Sequence, residues 1–244
     1  MKISVLADAA AVAEAGAAFI AVEARSAIET RGVFTLALSG GRTPWEMLRI
    51  LADLDVQWQH VRIVQVDERV APAGSADRNI EIVRRTLLAD TALPAENLYP
   101  MPVDENDLAA AAARYARTLE KLAGSPPVLD LIHLGLGVDG HAASLVPGDP
   151  VLELTEFWVG MTGTYQHHRR MTLTYPVLDR ARTVLFVVTG DEKAEALLRL
   201  SRHDSTSPAG RIANSDIVVL ADRAAASRLD AADGHDRQRE TTRH

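Results

Sequence analysis

The stretch Leu129–Pro147, LDLIHLGLGVDGHAASLVP, decides the fold class of this chain. Its apolar run from Leu131 to Leu136 predicts a buried strand, and the glycines beside it let the backbone turn sharply where the strand ends. Asp139 and His141 follow directly. Because open α/β sheets bind ligands beyond the carboxyl ends of their strands, the stretch predicts a titratable pair at a ligand-binding edge.

Strand-like and helical segments alternate along the chain. The predicted strands are Ile3–Leu6, Phe34–Leu38, Val61–Val66, Leu131–Leu136, Phe157–Met161, Met171–Thr174, Thr183–Val188 and Ile217–Leu220. The predicted helices run from the N-cap Asp8 to near Gly32, over Trp45–Leu54, from the N-cap Asp77 to about Leu88, and over Asp107–Leu122, Glu192–Leu200 and Ala221–Leu229. This alternation favours a mostly parallel sheet with helices on both faces. Residues 150–190, with three strands and little helix, predict a small additional β-rich region.

Composition limits the class of protein. The net charge of −7, from 26 basic and 33 acidic residues, argues against a nucleic-acid or anionic-membrane surface. The lack of cysteine excludes disulfides and thiol chemistry, and no apolar run approaches the ~20 residues of a membrane span. The amino terminus has no signal-peptide pattern. We expect a cytoplasmic protein with one α/β domain over residues 1–230 and a disordered charged tail over 231–244.

The segment Leu38–Pro44, LSGGRTP, has the features of a phosphate-binding turn. Gly40 and Gly41 let the backbone approach an anion closely, and the following helix start offers unpaired amides and a positive dipole end. Arg42 can add a charge-assisted hydrogen bond, and Thr43 is the predicted helix N-cap. A tight strand-to-helix turn without a ligand explains the same residues, so the local pattern leaves both interpretations open.

Gly135–Gly140 matches the dinucleotide fingerprint G-x-G-x-x-G, but Pro147 follows too soon for the long helix that the fingerprint requires. The pair Asp139 and His141 is more informative. A histidine can take a proton from water near neutral pH, and a neighbouring carboxylate can orient it and stabilise the imidazolium. The alternative interpretation is that His141 only caps a short helix over Ala142–Leu145.

Further charges fall beside predicted strand ends. They are Asp67, Glu68, Arg69, Arg169, Arg170 and Lys193. Each cation by itself fits a surface charge, and we interpret Glu68 as part of a solvated cluster. Because the strands of a parallel sheet end at one edge, the shared placement of these cations favours an anion-binding set.

The chain lacks the patterns of a metal site and of a seryl nucleophile. His167 and His168 are adjacent, so they point in different directions on regular structure, and no carboxylate stands at ligand spacing. Ser39 and Ser144 lack the G-x-S-x-G elbow. We therefore expect neither kind of site.

Five motifs follow one another along the chain: LSGGRTP, VDER followed by Asp77-x-Asn79, LGLGVDGHAASLVPG, RRMTLTYPVL and VTGDEKAEAL. Their order and spacing resemble the 6-phosphogluconolactonase family, whose superfamily includes glucosamine-6-phosphate deaminase. The resemblance implies a Rossmann-like α/β fold, no cofactor, and hydrolysis of 6-phospho-D-glucono-1,5-lactone in the oxidative pentose phosphate pathway. The expected partner is a phosphorylated sugar lactone, with neither nucleic acid nor membrane, and the expected state is a monomer or weak homo-oligomer.

The resemblance also implies roles for the residues at matching positions. His141 matches the general base that activates a water molecule, and Asp139 in the same loop orients the site. Asp67 and Arg69 match an acidic and a basic residue near the sugar, and we expect Asp67 to belong with His141 and Asp139 to the catalytic group. The residues that match the phosphate side are Gly40, Gly41, Arg42, Thr43, Arg170 and Lys193.

Two other functions stay open. Deaminase-type isomerases of the superfamily carry a carboxylate just before the proline that follows the Asp-Gly-His turn. Val146 stands there in this chain and cannot transfer a proton, which favours lactone hydrolysis. The fold also serves as a sugar-phosphate sensor fused to a DNA-binding helix-turn-helix. With the first strand predicted at Ile3 we expect no such domain, and His141 favours catalysis.

Overall fold

The structure, a computed structural model, describes residues 1–229 except for the side chains of Arg42 and Thr43. The tail predicted to be disordered, 231–244, lies outside the described residues. Within the described part, no helix combines the length and apolar character needed to cross a membrane.

The described part of the chain contains ten strands and six α-helices. The strands are β1 (Lys2–Leu6), β2 (Phe34–Leu38), β3 (Val61–Gln65), β4 (Asp67–Arg69), β5 (Leu98–Tyr99), β6 (Leu131–Leu134), β7 (Val159–Met161), β8 (Arg170–Leu173), β9 (Thr183–Val188) and β10 (Ile217–Asp222). The helices are α1 (Ala9–Arg31), α2 (Arg42–Ala52), α3 (Asn79–Val83), α4 (Leu108–Ala123), α5 (Tyr175–Arg180) and α6 (Ala194–Ser201).

Seven strands form one sheet in the order β1-β10-β9-β6-β2-β3-β5. Every neighbouring pair in it is parallel. The predicted α/β fold with a mostly parallel sheet is therefore confirmed. Since β9, β6, β2 and β3 are consecutive neighbours, the loops at their carboxyl ends meet at one edge.

A second, antiparallel sheet has the order β4-β8-β7. It confirms the predicted β-rich region around 150–190, but its β4 comes from residues well before that region. The pairing places Arg69 opposite Arg170 and Asp67 opposite Thr172. This small sheet therefore brings two cations of the predicted site together.

The large sheet is buried on both faces. Along β9, Leu185 packs into one apolar layer with α1 and α2, and Phe186 packs into the other with α4 and α6. Each such side chain contributes about 2–3 kcal/mol by leaving water. Burial on both sides explains why the strand sequences are continuous apolar runs and lack an alternating pattern.

Two helix boundaries follow the predicted signals. The Asp8 carboxylate accepts a hydrogen bond from the Ala11 amide at 2.9 Å and caps α1, and the C-cap Gly32 that follows the helix has a φ of 75°. Asp107 caps α4 in the same way through the Ala110 amide. These short-range signals depend only on the local sequence, which is why they are predictable.

The start of α2 differs from the prediction. The helix begins at Arg42 with Gly41 as its N-cap, so Thr43 lies inside the first turn. Gly41 has a φ of 123°, which favours glycine. Pro44 remains compatible because the first-turn amides of a helix have no intrahelical partner.

The predicted N-cap Asp77 and the predicted solvated state of Glu68 are both wrong. Glu68 is fully buried, and its carboxylate accepts hydrogen bonds from the amides of Asn79 (2.8 Å) and Ile80 (2.9 Å) at the start of α3. A buried carboxylate needs such partners to offset its lost hydration. Glu68, on the preceding strand β4, thus satisfies the amides at the start of α3.

The predicted last helix, Ala221–Leu229, is wrong at its start. β10 continues through Asp222, and residues 223–228 form turns. The carboxylate of Asp222 accepts a hydrogen bond from the Ala225 amide at 2.7 Å, which stabilises a turn at this point.

His133 on β6 makes stability depend on pH. Its side chain is fully buried, and neither ring nitrogen has a hydrogen-bond partner among the described residues. Burial lowers its pKa from 6.5 to about 4. Between these values the unfolded chain binds a proton that the folded chain does not, so the free energy of unfolding falls as pH drops below 6.5.

We expect His133→Leu to remove this component. Near pH 5 it amounts to about 2 kcal/mol of unfolding free energy, and near pH 7.5 it vanishes because both states are neutral. Urea unfolding at both pH values measures the difference, with His60→Gln, an exposed histidine, as the control. An equal pH dependence in wild type and His133→Leu would contradict the assignment.

Candidate active site

A cavity of about 300 Å³ opens at the edge where β2, β3, β6 and β9 end. Its lining comes from the segments that follow these strands, from the last residues of β9, from Gln166 between β7 and β8, and from Arg170 on β8. The site residues predicted from the sequence that line it are Gly40, Gly41, Asp67, Arg69, His141, Arg170 and Lys193. Asp139 is in direct contact with His141. The side chains of Arg42 and Thr43 lie outside the described residues, so their binding roles stay predictions.

The loop after β2 requires glycine for close packing. A Cβ atom on Gly40 would lie 2.0 Å from Oδ1 of Asn79, which also lines the cavity. The Asn79 amide group is held by donating to the Asp67 carbonyl at 3.1 Å. Any side chain at position 40 would therefore displace this wall of the cavity.

The loop after β6 packs its own backbone against the His141 ring. A Cβ atom on Gly137 would lie 2.1 Å from Nδ1 of His141, and the Gly137 amide donates to the His141 carbonyl at 2.8 Å. Ala142 and Leu145 form an isolated bridge, with no helix between them. The alternative in which His141 caps a short helix over these residues is therefore wrong.

Asp139 and His141 form a close pair. Oδ1 of Asp139 lies 2.6 Å from Nδ1 of His141 and also accepts from the His141 backbone amide at 3.2 Å. The hydrogen bond from the ring holds the pKa of Asp139 well below its usual range, and the Tyr165 phenol lowers it further. An ionised carboxylate can only accept. In the neutral imidazole this contact places the proton on Nδ1, which leaves the lone pair on Nε2.

The Asp67 carboxylate joins three parts of the site. Ser144 Oγ donates to its Oδ2 at 2.6 Å, and Ser39 Oγ donates to its Oδ1 at 3.4 Å. Nη1 of Arg170 lies 3.9 Å from Oδ2. Asp67 is buried, and these contacts connect the loops after β2 and β6 to β8.

Three cations line the cavity although the chain as a whole is acidic. Arg69 donates to the Asp77 carbonyl at 2.8 Å, and Lys193 is half-buried after β9. Arg170 is buried, and burial lowers its pKa while Asp67 acts in the opposite direction. Nε of Arg170 has no hydrogen-bond partner in the described structure, so this wall suits an anionic ligand. Arg169, by contrast, is exposed.

Sequence reasoning missed several side chains at this site, and three of them bear on its chemistry. Tyr165 contacts Asp139, Gln166 lines the cavity, and Ser144 holds Asp67. Tyr165 and Gln166 belong to a loop with no local motif, so no sequence signal indicated them. Ser144 lay within a recognised motif but was considered only as a nucleophile.

Comparison with known proteins shows the family of the chain. The family model described as glucosamine-6-phosphate isomerases/6-phosphogluconolactonase matches residues 7–220. A 6-phosphogluconolactonase from Nostoc sp. is 32% identical over 235 residues, which cover 93% of this chain and 98% of that protein. A 6-phosphogluconolactonase from Mycobacterium tuberculosis is 34% identical over 218 residues, which cover 84% of this chain and 88% of that protein.

Solved structures share the fold. The 6-phosphogluconolactonase from Trypanosoma brucei matches with a TM-score of 0.82 at 27% identity, covering 93% of this chain and 98% of that one. A monomeric glucosamine-6-phosphate deaminase matches with the same TM-score, 0.82, at 20% identity, and the match covers 93% of this chain and 99% of that one. Backbone shape alone therefore does not distinguish the two activities, and the side chains of the site must do so.

Proposed function

Since the chain belongs to the family of glucosamine-6-phosphate isomerases and 6-phosphogluconolactonases, we propose that it hydrolyses 6-phospho-D-glucono-1,5-lactone to 6-phosphogluconate. This reaction is a step of the oxidative pentose phosphate pathway. Relatives with this activity in their names align over nearly the whole chain. The observation that carries the proposal is the Asp139–His141 pair in a cavity that three cations line.

His141 acts as the general base. Nε2 takes a proton from water while the water oxygen bonds to the lactone carbonyl carbon. The tetrahedral intermediate then collapses, the bond between that carbon and the ring oxygen breaks, and the imidazolium returns its proton to the ring oxygen. The products are a carboxylic acid and a hydroxyl group. Asp139 stabilises the imidazolium between the two transfers.

The cations hold the remote phosphate. Positive charge at this wall comes from Arg69, Arg170 and Lys193. The loop at Gly40 and Gly41 lets the phosphate approach the backbone amides at the start of α2. Binding energy from this group, which takes no part in the reaction, fixes the lactone carbonyl near His141. The Asp67 carboxylate pairs with Arg170 and also accepts hydrogen bonds from Ser39 and Ser144. Because these contacts occupy both of its oxygens, we assign Asp67 a positioning role and no proton transfer.

Val146 favours hydrolysis over isomerisation. It is a buried apolar side chain at the position where the deaminase-type resemblance places a carboxylate. Moving a proton between neighbouring carbons needs an additional acid or base, whereas lactone opening needs one base and a polarised carbonyl. A non-catalytic sensor would have no need of the ordered Asp139–His141 pair.

The direct test is turnover of freshly generated 6-phosphogluconolactone, corrected for spontaneous opening, with glucosamine 6-phosphate as the comparison. Hydrolysis of the lactone without deamination supports the proposal. Deamination of glucosamine 6-phosphate would favour the isomerase, and binding without any turnover would favour the sensor. Size-exclusion chromatography tests the expected monomer or weak homo-oligomer.

Arg170→Gln is expected to raise KM for the phosphorylated lactone by about tenfold and to change kcat by less than about threefold. The reason is that Arg170 touches the phosphate and not the reacting carbonyl. Steady-state kinetics measure both constants. Arg182→Gln removes an arginine at the opposite edge of the sheet, paired with Asp130, and serves as the control. An unchanged KM in Arg170→Gln would remove this residue from the site.

A further inference from the structure

The hairpin between β7 and β8 places one tyrosine against the catalytic pair. The phenol of Tyr165 donates a hydrogen bond to Oδ2 of Asp139 at 3.1 Å. The other oxygen of that carboxylate, Oδ1, faces Nδ1 of His141 at 2.6 Å. Both oxygens of Asp139 are thus engaged, one by the base and one by the hairpin.

The Tyr165 ring also packs on the base. Its centroid lies 5.5 Å from that of the His141 ring, with an angle of 72° between the planes. Aromatic pairs prefer this edge-to-face geometry, so the contact favours the observed orientation of the imidazole. The tyrosine therefore constrains both members of the pair, Asp139 through its hydroxyl group and His141 through its ring.

A chain of hydrogen bonds continues from Tyr165 toward the anion-binding wall. Gln166 Nε2 donates to the Tyr165 oxygen, and Arg170 Nη2 donates to Gln166 Oε1, both at 3.4 Å. The Arg170 guanidinium also lies over the Tyr165 ring, 5.3 Å from its centroid. The same tyrosine therefore touches the residue proposed to bind phosphate and the pair proposed to activate water.

The turn that carries Tyr165 is held in shape. Gln166 and His167 adopt φ values of 47° and 71°, as the central residues of a tight two-residue hairpin turn do. Tyr165 and His168 close the turn by exchanging backbone hydrogen bonds of 2.9 and 3.2 Å. Nδ1 of His168 lies 3.4 Å from the Val70 carbonyl, which ties the turn to the segment after β4.

We propose that Tyr165 is a positioning residue that orients the Asp139 carboxylate so that His141 presents Nε2 as the free base. This inference rests on the proposed hydrolysis and adds a residue to it. The phenol suits the role because burial, followed by the charge of Asp139, raises its pKa, so it remains a donor at neutral pH. Without it, the carboxylate can turn away from Nδ1, and the imidazole loses its fixed tautomer.

Tyr165→Phe removes the hydroxyl group and keeps the ring. We expect kcat to fall about tenfold, which corresponds to about 1.4 kcal/mol of activation free energy, while KM stays within about twofold. Tyr175→Phe is the matched control, because Tyr175 also donates to one acceptor, the Pro208 carbonyl, and also lies under an arginine, Arg211. A kcat for Tyr165→Phe within twofold of wild type, or an equal loss in the control, would overturn the inference.

A double-mutant cycle tests whether Tyr165 acts through Asp139. In an Asp139→Asn background, Tyr165→Phe should lower kcat by less than about twofold, because its acceptor charge is already gone. A further tenfold loss in that background would overturn the proposed route. The cycle distinguishes positioning from a general effect on folding, which would add in both backgrounds.

A measurement without turnover keeps this inference separate from the proposed function. In wild type, the ¹⁵N signals of the His141 ring, assigned by their loss in His141→Gln, should report one tautomer with the proton on Nδ1. Tyr165→Phe should give a mixture of tautomers. A single unchanged tautomer would overturn the inference even if lactone hydrolysis is observed. A mixture would support it even if the true substrate is another sugar phosphate.

Discussion

His141→Gln is expected to lower kcat for hydrolysis of 6-phosphogluconolactone by about 10²–10⁴-fold, the range for removal of a general base. Glutamine keeps a polar side chain of similar length beside Asp139 but offers no nitrogen that can accept a proton from water. KM should change little, because the charges proposed to bind phosphate remain in place. Single-turnover and steady-state assays, corrected for spontaneous lactone opening, measure the loss.

The control for this variant makes the same chemical change elsewhere. His60 is exposed and lies just before β3, at the sheet edge opposite the cavity, so His60→Gln should keep wild-type kcat. Thermal unfolding of both variants separates lost catalysis from lost folding. If His141→Gln kept more than half of the wild-type kcat, His141 could not be the base.

The parts of the site that sequence predicts are those determined by strand ends. Gly40, Asp67, His141 and Lys193 each follow a parallel strand, and parallel topology alone sends them to one edge. The prediction needed no knowledge of which strands are neighbours.

The errors with the largest effect on the site come from contacts between different elements of the fold. Glu68 is a charged residue among charged neighbours, and only the fold shows that its partners are the amides at the start of α3. The same contact explains the wrong N-cap at Asp77, because Glu68 supplies the acceptor. Tyr165 is another case. It contacts Asp139 because the hairpin between β7 and β8 extends to the loop after β6. No pattern in the sequence predicts that contact.

The local charge balance also needed the fold. The net charge of −7 does not predict the local charge of the cavity. There, Arg69 and Arg170 are paired opposite each other on the antiparallel strands β4 and β8. Their mutual repulsion is tolerable because Asp67 and the Asp77 carbonyl each engage one of them. A bound phosphate would offset the remaining positive charge. The cavity is therefore electrostatically prepared for an anion although the chain is acidic.

Asp139→Asn is the second change with a large expected effect, a loss of about 10²–10⁴-fold in kcat. The corresponding change in serine-protease triads costs about 10⁴-fold because it stabilises the wrong histidine tautomer. An amide can present its NH₂ group to Nδ1 of His141, which places the ring proton on Nε2 and blocks the base. The shape of the side chain is nearly unchanged, so the loss reports tautomer and charge and not packing.

Three measurements make the prediction specific. Asp107→Asn is an isosteric control, because Asp107 only caps α4 and asparagine caps a helix equally well, so its kcat should stay at the wild-type value. KM in Asp139→Asn should remain within about threefold, since Asp139 is not among the residues proposed to bind phosphate. The ¹⁵N signals of His141 should move toward the tautomer protonated on Nε2. A kcat close to wild type would mean that the 2.6 Å contact between Asp139 and His141 stabilises only the turn. The base would then need another orienting group, and Tyr165 would have no carboxylate through which to act.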